Sequence, residues 1–189
     1  VANLTSLGLT FTGTSGDGTF TFTPATGTAV TSASITVNPG EASRLVITGS
    51  GTQTAGASQT ITIAAKDAQG NTVTGYTGTK SITFSGPGTS SSPATVPTVA
   101  SVNVGQATSL TFSNGVATAS LVVYRAESTN LAATDGTISA AGTDRLSLTV
   151  SPSSYTKLAV SLATPQINGV AFTGTNTLTA QDAYGNTVP

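Results

Sequence analysis

One seven-residue motif occurs twice in this chain, and the residues around it match themselves on the same ruler. Asp67-Ala68-Gln69-Gly70-Asn71-Thr72-Val73 returns 115 residues later as Asp182-Ala183-Tyr184-Gly185-Asn186-Thr187-Val188. Upstream, Arg44-Leu45-Val46-Ile47 matches Lys157-Leu158-Ala159-Val160 at a spacing of 113. Ser34-Ile35-Thr36-Val37-Asn38-Pro39 matches Ser147-Leu148-Thr149-Val150-Ser151-Pro152 at the same spacing. Self-similarity at a fixed period points to a chain built from copies of one unit. A period of 113–115 residues divides the 189 residues unevenly. Residues 40–151 read as one complete repeat, 1–39 as the closing third of a preceding one, and 152–189 as the opening third of a following one. Val1-Ala2 lines up with Val116-Ala117 in this register. Pro39 and Pro152 mark the two junctions, where proline removes a ladder donor and stiffens a short link.

Within the complete repeat, apolar residues alternate with polar ones at period two, the signature of half-buried strands. Leu45 and Ile47 begin the series, followed by Ile61, Ile63 and Ala65, then Ile82 and Phe84. Leu110 and Phe112 run into Ser113-Asn114-Gly115, a turn signal, and Val116 to Tyr124 follows as another strand. Leu131 to Thr134 and Leu146 to Val150 close the unit. About seven short strands and no 3.6-residue period predict an all-β fold, a Greek-key sandwich in each repeat. Gly86 to Val104, rich in Ser, Pro and Val, reads as a long excursion or irregular edge. Composition agrees. Ser and Thr make up about a third of the chain while charged residues are 7%, against roughly 25% in an average soluble protein. Threonine is β-branched and fits a pleated, half-wet surface.

Several functions are disfavoured on chemistry. Six scattered Lys and Arg and a net charge of −1 cannot neutralise a phosphate backbone, so no nucleic-acid partner is expected. With no Cys and no His there is no thiolate, no zinc–sulfur site and no Ser-His-Asp arrangement. The seven acids give no reason for a glycosidase-type pair to converge. The chain reads as not an enzyme, without cofactor. No apolar run is long enough to span a bilayer, so no membrane insertion is expected of this segment.

The Asp-Ala-Gln-Gly-Asn-Thr-Val motif follows the alternating strand Gln59-Thr60-Ile61-Thr62-Ile63-Ala64-Ala65-Lys66. In that setting it resembles the bacterial immunoglobulin-like repeats of invasin-type adhesins and other giant surface proteins. Asn114-Gly115-Val116-Ala117 before a late strand and the final Leu148-Thr149-Val150 fit the same resemblance, which covers the complete repeat and both flanks. It implies tandem immunoglobulin-like sandwiches, an extracellular or cell-surface address, and Asp-x-x-Gly-Asn in the turn after the second strand. The segment Gly86 to Val104 exceeds the compact family pattern.

Each motif has a structural reading beside a functional one. Asp67 and Asn71, with Asp182 and Asn186, offer oxygen ligands that suit calcium. The turn reading outweighs it: Asp can close an Asx-turn, Gly70 and Gly185 supply a positive φ, and no neighbouring carboxylate completes a shell of about six oxygens. Asp135-Gly136 and Asp144 read as turn residues, and Glu41 alone is a weak interdomain ligand. Lys66, Lys80, Glu127 and Asn130 invite an intramolecular isopeptide bond, against which stands the plain reading of scattered surface charges. Alternating Thr19, Thr21 and Thr23 could face ice, although any half-buried strand shows the same pattern. Asn3-Leu4-Thr5 is a lone glycosylation sequon.

The expected function is a structural or adhesive segment of an extracellular repeat protein on a prokaryotic surface, a stalk or adhesin. Its partners would be neighbouring repeats of the same chain or identical chains, and a host surface or glycan. A first alternative is a subunit of a polymeric filament or surface layer held by inter-chain β-strand contacts, since uncharged edges lack the usual protection against pairing. A second is a carbohydrate-binding module, a reading for which the usual signature of exposed Trp and Tyr platforms is not expected in this chain.

Overall fold

The structure, a computed structural model, describes residues 10–189. The Val1-Ala2 match and the Asn3-Leu4-Thr5 sequon lie outside the described residues. The first described strands form two small antiparallel pairs. β1 (Gly16–Gly18) pairs with β4 (Ile35–Val37), and β2 (Thr21–Phe22) pairs with β3 (Val30–Thr31).

Residues 44–151 form an all-β sandwich of two five-stranded sheets. Its strands are β5 (Arg44–Thr48), β6 (Thr52–Thr54), β7 (Ser58–Lys66), β8 (Gly78–Ser85), β9 (Thr98–Val99), β10 (Val102–Asn103), β11 (Ala107–Phe112), β12 (Val116–Val122), β13 (Ser128–Thr134) and β14 (Leu146–Ser151). One sheet runs β10-β9-β12-β7-β5 and the other β11-β8-β13-β14-β6. All pairs are antiparallel except β14 with β6. The alternation read from sequence becomes burial: in β14, Leu146, Leu148 and Val150 point inward while Ser147, Thr149 and Ser151 are exposed. Leu45, Ile61, Ile63, Ile82, Phe84 and Leu131 are fully buried between the sheets. Each such side chain stabilises the sandwich by about 1.5–3 kcal/mol relative to exposure.

Two features of the topology go beyond the strand pattern. Asn114 and Gly115 both have positive φ, 48° and 80°, and Ser113 and Val116 bond each other across that two-residue turn. Such a turn ordinarily joins neighbours in one sheet. Here β11 stays beside β8 and β12 crosses to pair with β7, so the turn carries the chain from one sheet to the other. The excursion Gly86 to Val104 is irregular at first and then supplies β9 and β10, which extend the β12 edge. Val99 within it is fully buried and Ser90 nearly so.

Beyond the sandwich, β15 (Lys157–Ser161) and β16 (Thr177–Gln181) form one antiparallel pair. Its register reproduces that of β5 and β7. Leu45 stands opposite Ala65 and Ile47 opposite Ile63; Leu158 stands opposite Ala180 and Val160 opposite Leu178. Likewise, Gly18 opposite Ile35 reproduces Thr129 opposite Leu148. Pro152 follows directly on β14, and Pro39 stands two residues beyond β4. Both are half-buried.

Candidate functional site

The two Asp-x-x-Gly-Asn turns sit where the sandwich meets its flanks, and both are built the same way. Asp67 follows β7, and its Oδ1 accepts the backbone N–H of Gln69 (3.0 Å) and of Asn71 (2.8 Å). The loop is closed by Asp67 N–H to the Asn71 carbonyl at 3.0 Å and Gly70 N–H to the Asp67 carbonyl at 3.1 Å. Gly70 has φ 89°, a conformation that costs an L side chain energy. Asp182 does the same after β16. Its Oδ1 accepts Tyr184 N–H and Asn186 N–H, both at 2.9 Å, and Gly185 has φ 82°.

The second carboxylate oxygen reaches away from the turn. Asp67 Oδ2 accepts Gly40 N–H at 2.9 Å, just past the Pro39 junction, and the Asn71 side-chain amide at 2.9 Å. Asp182 Oδ2 accepts Ser153 N–H at 3.0 Å, just past Pro152, and the Asn186 amide at 2.8 Å. The asparagine then crosses the junction. Asn71 Nδ2 donates to the Gly13 carbonyl (3.0 Å) and its Oδ1 accepts Ser15 N–H (2.9 Å). Asn186 Nδ2 donates to the Tyr124 carbonyl (2.8 Å) and its Oδ1 accepts Ala126 N–H (2.7 Å). Six hydrogen bonds thus recur at corresponding places. An asparagine side chain paired to one backbone N–H and one C=O imitates a strand neighbour. It stitches each turn to the chain before it.

Burial and donors compete at these carboxylates. The Asn71 amide, helped by the Gly40, Asn71 and Gln69 N–H groups, holds Asp67 at about 2 against the opposing effect of burial. At Asp182, burial pushes the carboxyl up, and the Asn186 amide with the Ser153, Asn186 and Tyr184 N–H groups overcomes it, so the net direction is down. Both aspartates are almost fully buried. A carboxylate ringed by N–H donors is held ionised by them.

The second junction carries more than the first set of bonds. The Tyr184 ring packs against Tyr124 with centroids 5.0 Å apart. Ser92 N–H donates to the Tyr184 carbonyl at 3.1 Å, Ser91 Oγ donates to the Gly185 carbonyl at 3.3 Å, and Lys157 Nζ donates to the Ser92 carbonyl at 2.5 Å. The Gly86 to Val104 excursion therefore leans on the flank that follows the sandwich.

The remaining candidates fall in other places. Asp135 Oδ1 accepts Thr137 and Ile138 N–H, and its Oδ2 accepts the Tyr76 hydroxyl at 2.6 Å. Burial and that carboxylate push the Tyr76 hydroxyl well above its ordinary range. Asp144 pairs with Arg44 at 3.5 Å, and Glu41 is exposed. Lys66 Nζ donates to Thr72, Lys80 sits 4.8 Å over the Tyr76 ring, and Glu127 accepts Gly88 N–H and pairs with Arg125. Of the four groups named for an isopeptide bond, Lys66, Lys80 and Glu127 thus have separate partners, and Asn130 stands on β13 opposite Ser147. Thr21 faces Thr31 across β2 and β3 with hydroxyls 3.1 Å apart. Among the described residues no three acidic side chains gather as a metal cluster. No described helix is long and apolar enough to cross a membrane.

Sequence reasoning identified the turns and missed what they hold. Gly13, Ser15, Tyr124 and Ala126 contribute backbone atoms, so their side chains leave no trace of the role. The one usable signal was the repeat itself, since each partner lies 111 residues from its counterpart.

No family model matches the chain, and no curated protein does. Among solved structures, it is similar to InvD of Yersinia pseudotuberculosis, with 19% identity and a TM-score of 0.45, covering 93% of this chain and 52% of that one. It is also similar to domains 4–9 of the surface layer protein SbsC, with 17% identity and a TM-score of 0.37, covering 93% of this chain and 25% of that one. Domains 4 and 5 of SbsC give 16% identity and a TM-score of 0.33 over 67% of this chain and 59% of that one. The chain spans about half the length of the InvD structure it matches.

Proposed function

We propose that the chain is a structural or adhesive segment of an extracellular repeat protein on a prokaryotic cell surface, made of tandem immunoglobulin-like units and without catalytic activity of its own. The observation that carries this reading is the recurrence of one junction. The same three hydrogen bonds, set by Asp67 and Asn71 at one end and by Asp182 and Asn186 at the other, tie each turn to the chain at and before the junction. Units that contact only their neighbours give length and stiffness, and can be multiplied without redesign. A chain poor in charge, rich in hydroxyls and free of cysteine suits that setting.

The test is an antibody raised against residues 40–151 and applied to intact cells of the source organism. Surface labelling before lysis is expected, together with an extended scattering profile for the parent protein. Labelling only after lysis would remove the reading.

A second reading, a subunit of a polymeric filament or surface layer, is favoured by a different observation. Each flank exposes large apolar side chains, among them Phe22, Val30, Leu158, Val160 and Leu178. Sheet faces of that kind can be covered by strands of another chain. Sedimentation of the 189-residue chain over a wide concentration range tests this. Fibres or concentration-dependent assembly support it, and a monomer throughout overturns it.

A further inference from the structure

The two junctions share the asparagine and aspartate hydrogen bonds and differ most in bulk at one matched pair of positions. Where the second has Tyr184 in the third place of its turn and Tyr124 on the preceding segment, the first has Gln69 and Gly13. Both members of the pair change together. The asparagine contacts use backbone atoms on the far side, so they are blind to side-chain identity and fit any unit of this type. The tyrosine contact is not blind. Tyr184 lies across Gly56, where an added Cβ would run into its ring, with Cε2 at 2.6 Å and Cζ at 2.8 Å. Its ring packs on Tyr124, and its carbonyl accepts Ser92 N–H from the excursion. Aromatic pairs of this geometry add stabilisation beyond the area they bury.

We propose that the third position of the Asp-x-x-Gly-Asn turn is a specificity position, and that the surface formed by Gly56, Ser91, Ser92 and Tyr124 selects as its neighbour a turn carrying an aromatic ring there. The inference rests on the tandem-unit reading above. It makes the units non-interchangeable: a second copy of residues 40–151 placed after the first would present Gln69 to Tyr124 and leave the surface over Gly56 unfilled. The backbone adds to the selection. An added Cβ at Gly185 would meet Ser91 Oγ at 2.7 Å and Ser92 N at 3.0 Å, whereas one at Gly70 meets only the end of the Arg44 side chain at 3.3 Å. Both glycines carry a similar positive φ, so alanine strains both turns to a similar degree and disturbs the neighbour only at Gly185.

The chain has no cysteine, so spin labels at Ser109→Cys on β11 and Thr177→Cys on β16 report on the second junction alone in the full 189-residue protein. The parent should give one narrow distance distribution. Tyr184→Gln and Gly185→Ala should lose that single narrow peak, while Tyr184→Phe and Gly70→Ala keep it. The melt of the sandwich, followed alongside, should stay cooperative in all four. If Tyr184→Gln stays as narrow as the parent while Asn186→Ala broadens, the junction stands and selection by the third position is overturned. Broadening by Tyr184→Phe equal to that of Tyr184→Gln would also overturn it, because the ring would not be the selected group. If even Asn186→Ala leaves the distance unchanged, both the junction reading and this inference fail.

Discussion

Leu45 and Leu158 occupy the same place in the same kind of strand pair, each opposite an alanine, in the same register. Leu45 is 0% exposed and Leu158 is 62% exposed. The same contrast holds for Ile63 at 0% and Leu178 at 65%. Every large apolar side chain that is exposed among the described residues lies in the flanks, and none lies between residues 40 and 151. The comparison separates two steps of folding. Strand pairing is local enough to follow from thirty or so residues of sequence. Burial is not local, because β5 and β7 become a core only when β13, β14 and β8 face them from the second sheet. A lone two-stranded hairpin has little to hold it.

Matched substitutions on the 189-residue chain should break this comparison most sharply. Leu45→Ala removes a buried side chain and should cost about 2–5 kcal/mol of sandwich stability. Leu158→Ala, at the equivalent exposed site, should stay within about 0.5 kcal/mol. Urea titration followed by circular dichroism measures both, and equal costs would mean that the flank is packed in solution.

The junction should respond next. Asn186→Ala leaves the half-buried Ala126 N–H and Tyr124 carbonyl without their partner, at a cost of about 1 kcal/mol. Faster hydrogen exchange at the Ala126 amide, with the core amides of β7 and β12 unchanged, is the expected signature. Tyr76→Phe should cost about 1 kcal/mol. It removes the hydroxyl bond to Asp135 and should leave the second junction untouched.

Mild acid should have the smallest effect. Asp67 is held at about 2 against an ordinary value of 3.8, and Asp182 and Asp135 are also depressed. A group whose folded pKa is depressed contributes stability above its unfolded value, and that contribution is lost as pH falls through the folded one. The melting temperature should therefore be insensitive to these groups above about pH 5 and decline from about pH 4 towards pH 2. Asp67→Asn should flatten part of that decline. An unchanged acid limb in this variant would show that the carboxylate is not held as described.

The strands were legible wherever alternation was strong. Leu45 to Ile47, Ile61 to Ala65, Ile82 to Phe84, Leu110 to Phe112 and Leu146 to Val150 all form strands with those residues inward. Three features were not legible. β6 has three residues and one inward side chain, Gln53, so it carries no apolar rhythm. β9 and β10 have two residues each and depend on the β12 edge. The turn at Asn114-Gly115 has hairpin chemistry, and nothing local says that its two strands part into different sheets. Of the candidate site, the turn residues themselves were visible, because Asp, Gly and Asn act through local geometry. The backbone partners across each junction were not.

By itself, the sequence determined the all-β class, the positions of the main strands, the inward side chains and the two Asp-x-x-Gly-Asn turns. These follow from period-two alternation and from side chains acting on their own neighbourhood. Tertiary structure alone decided which sheet each strand joined, which apolar faces were covered, and that Asn71 and Asn186 reach across a junction as well as within a turn. Those outcomes depend on contacts between residues more than fifty positions apart, often through backbone atoms that every residue shares, and no local pattern can record them.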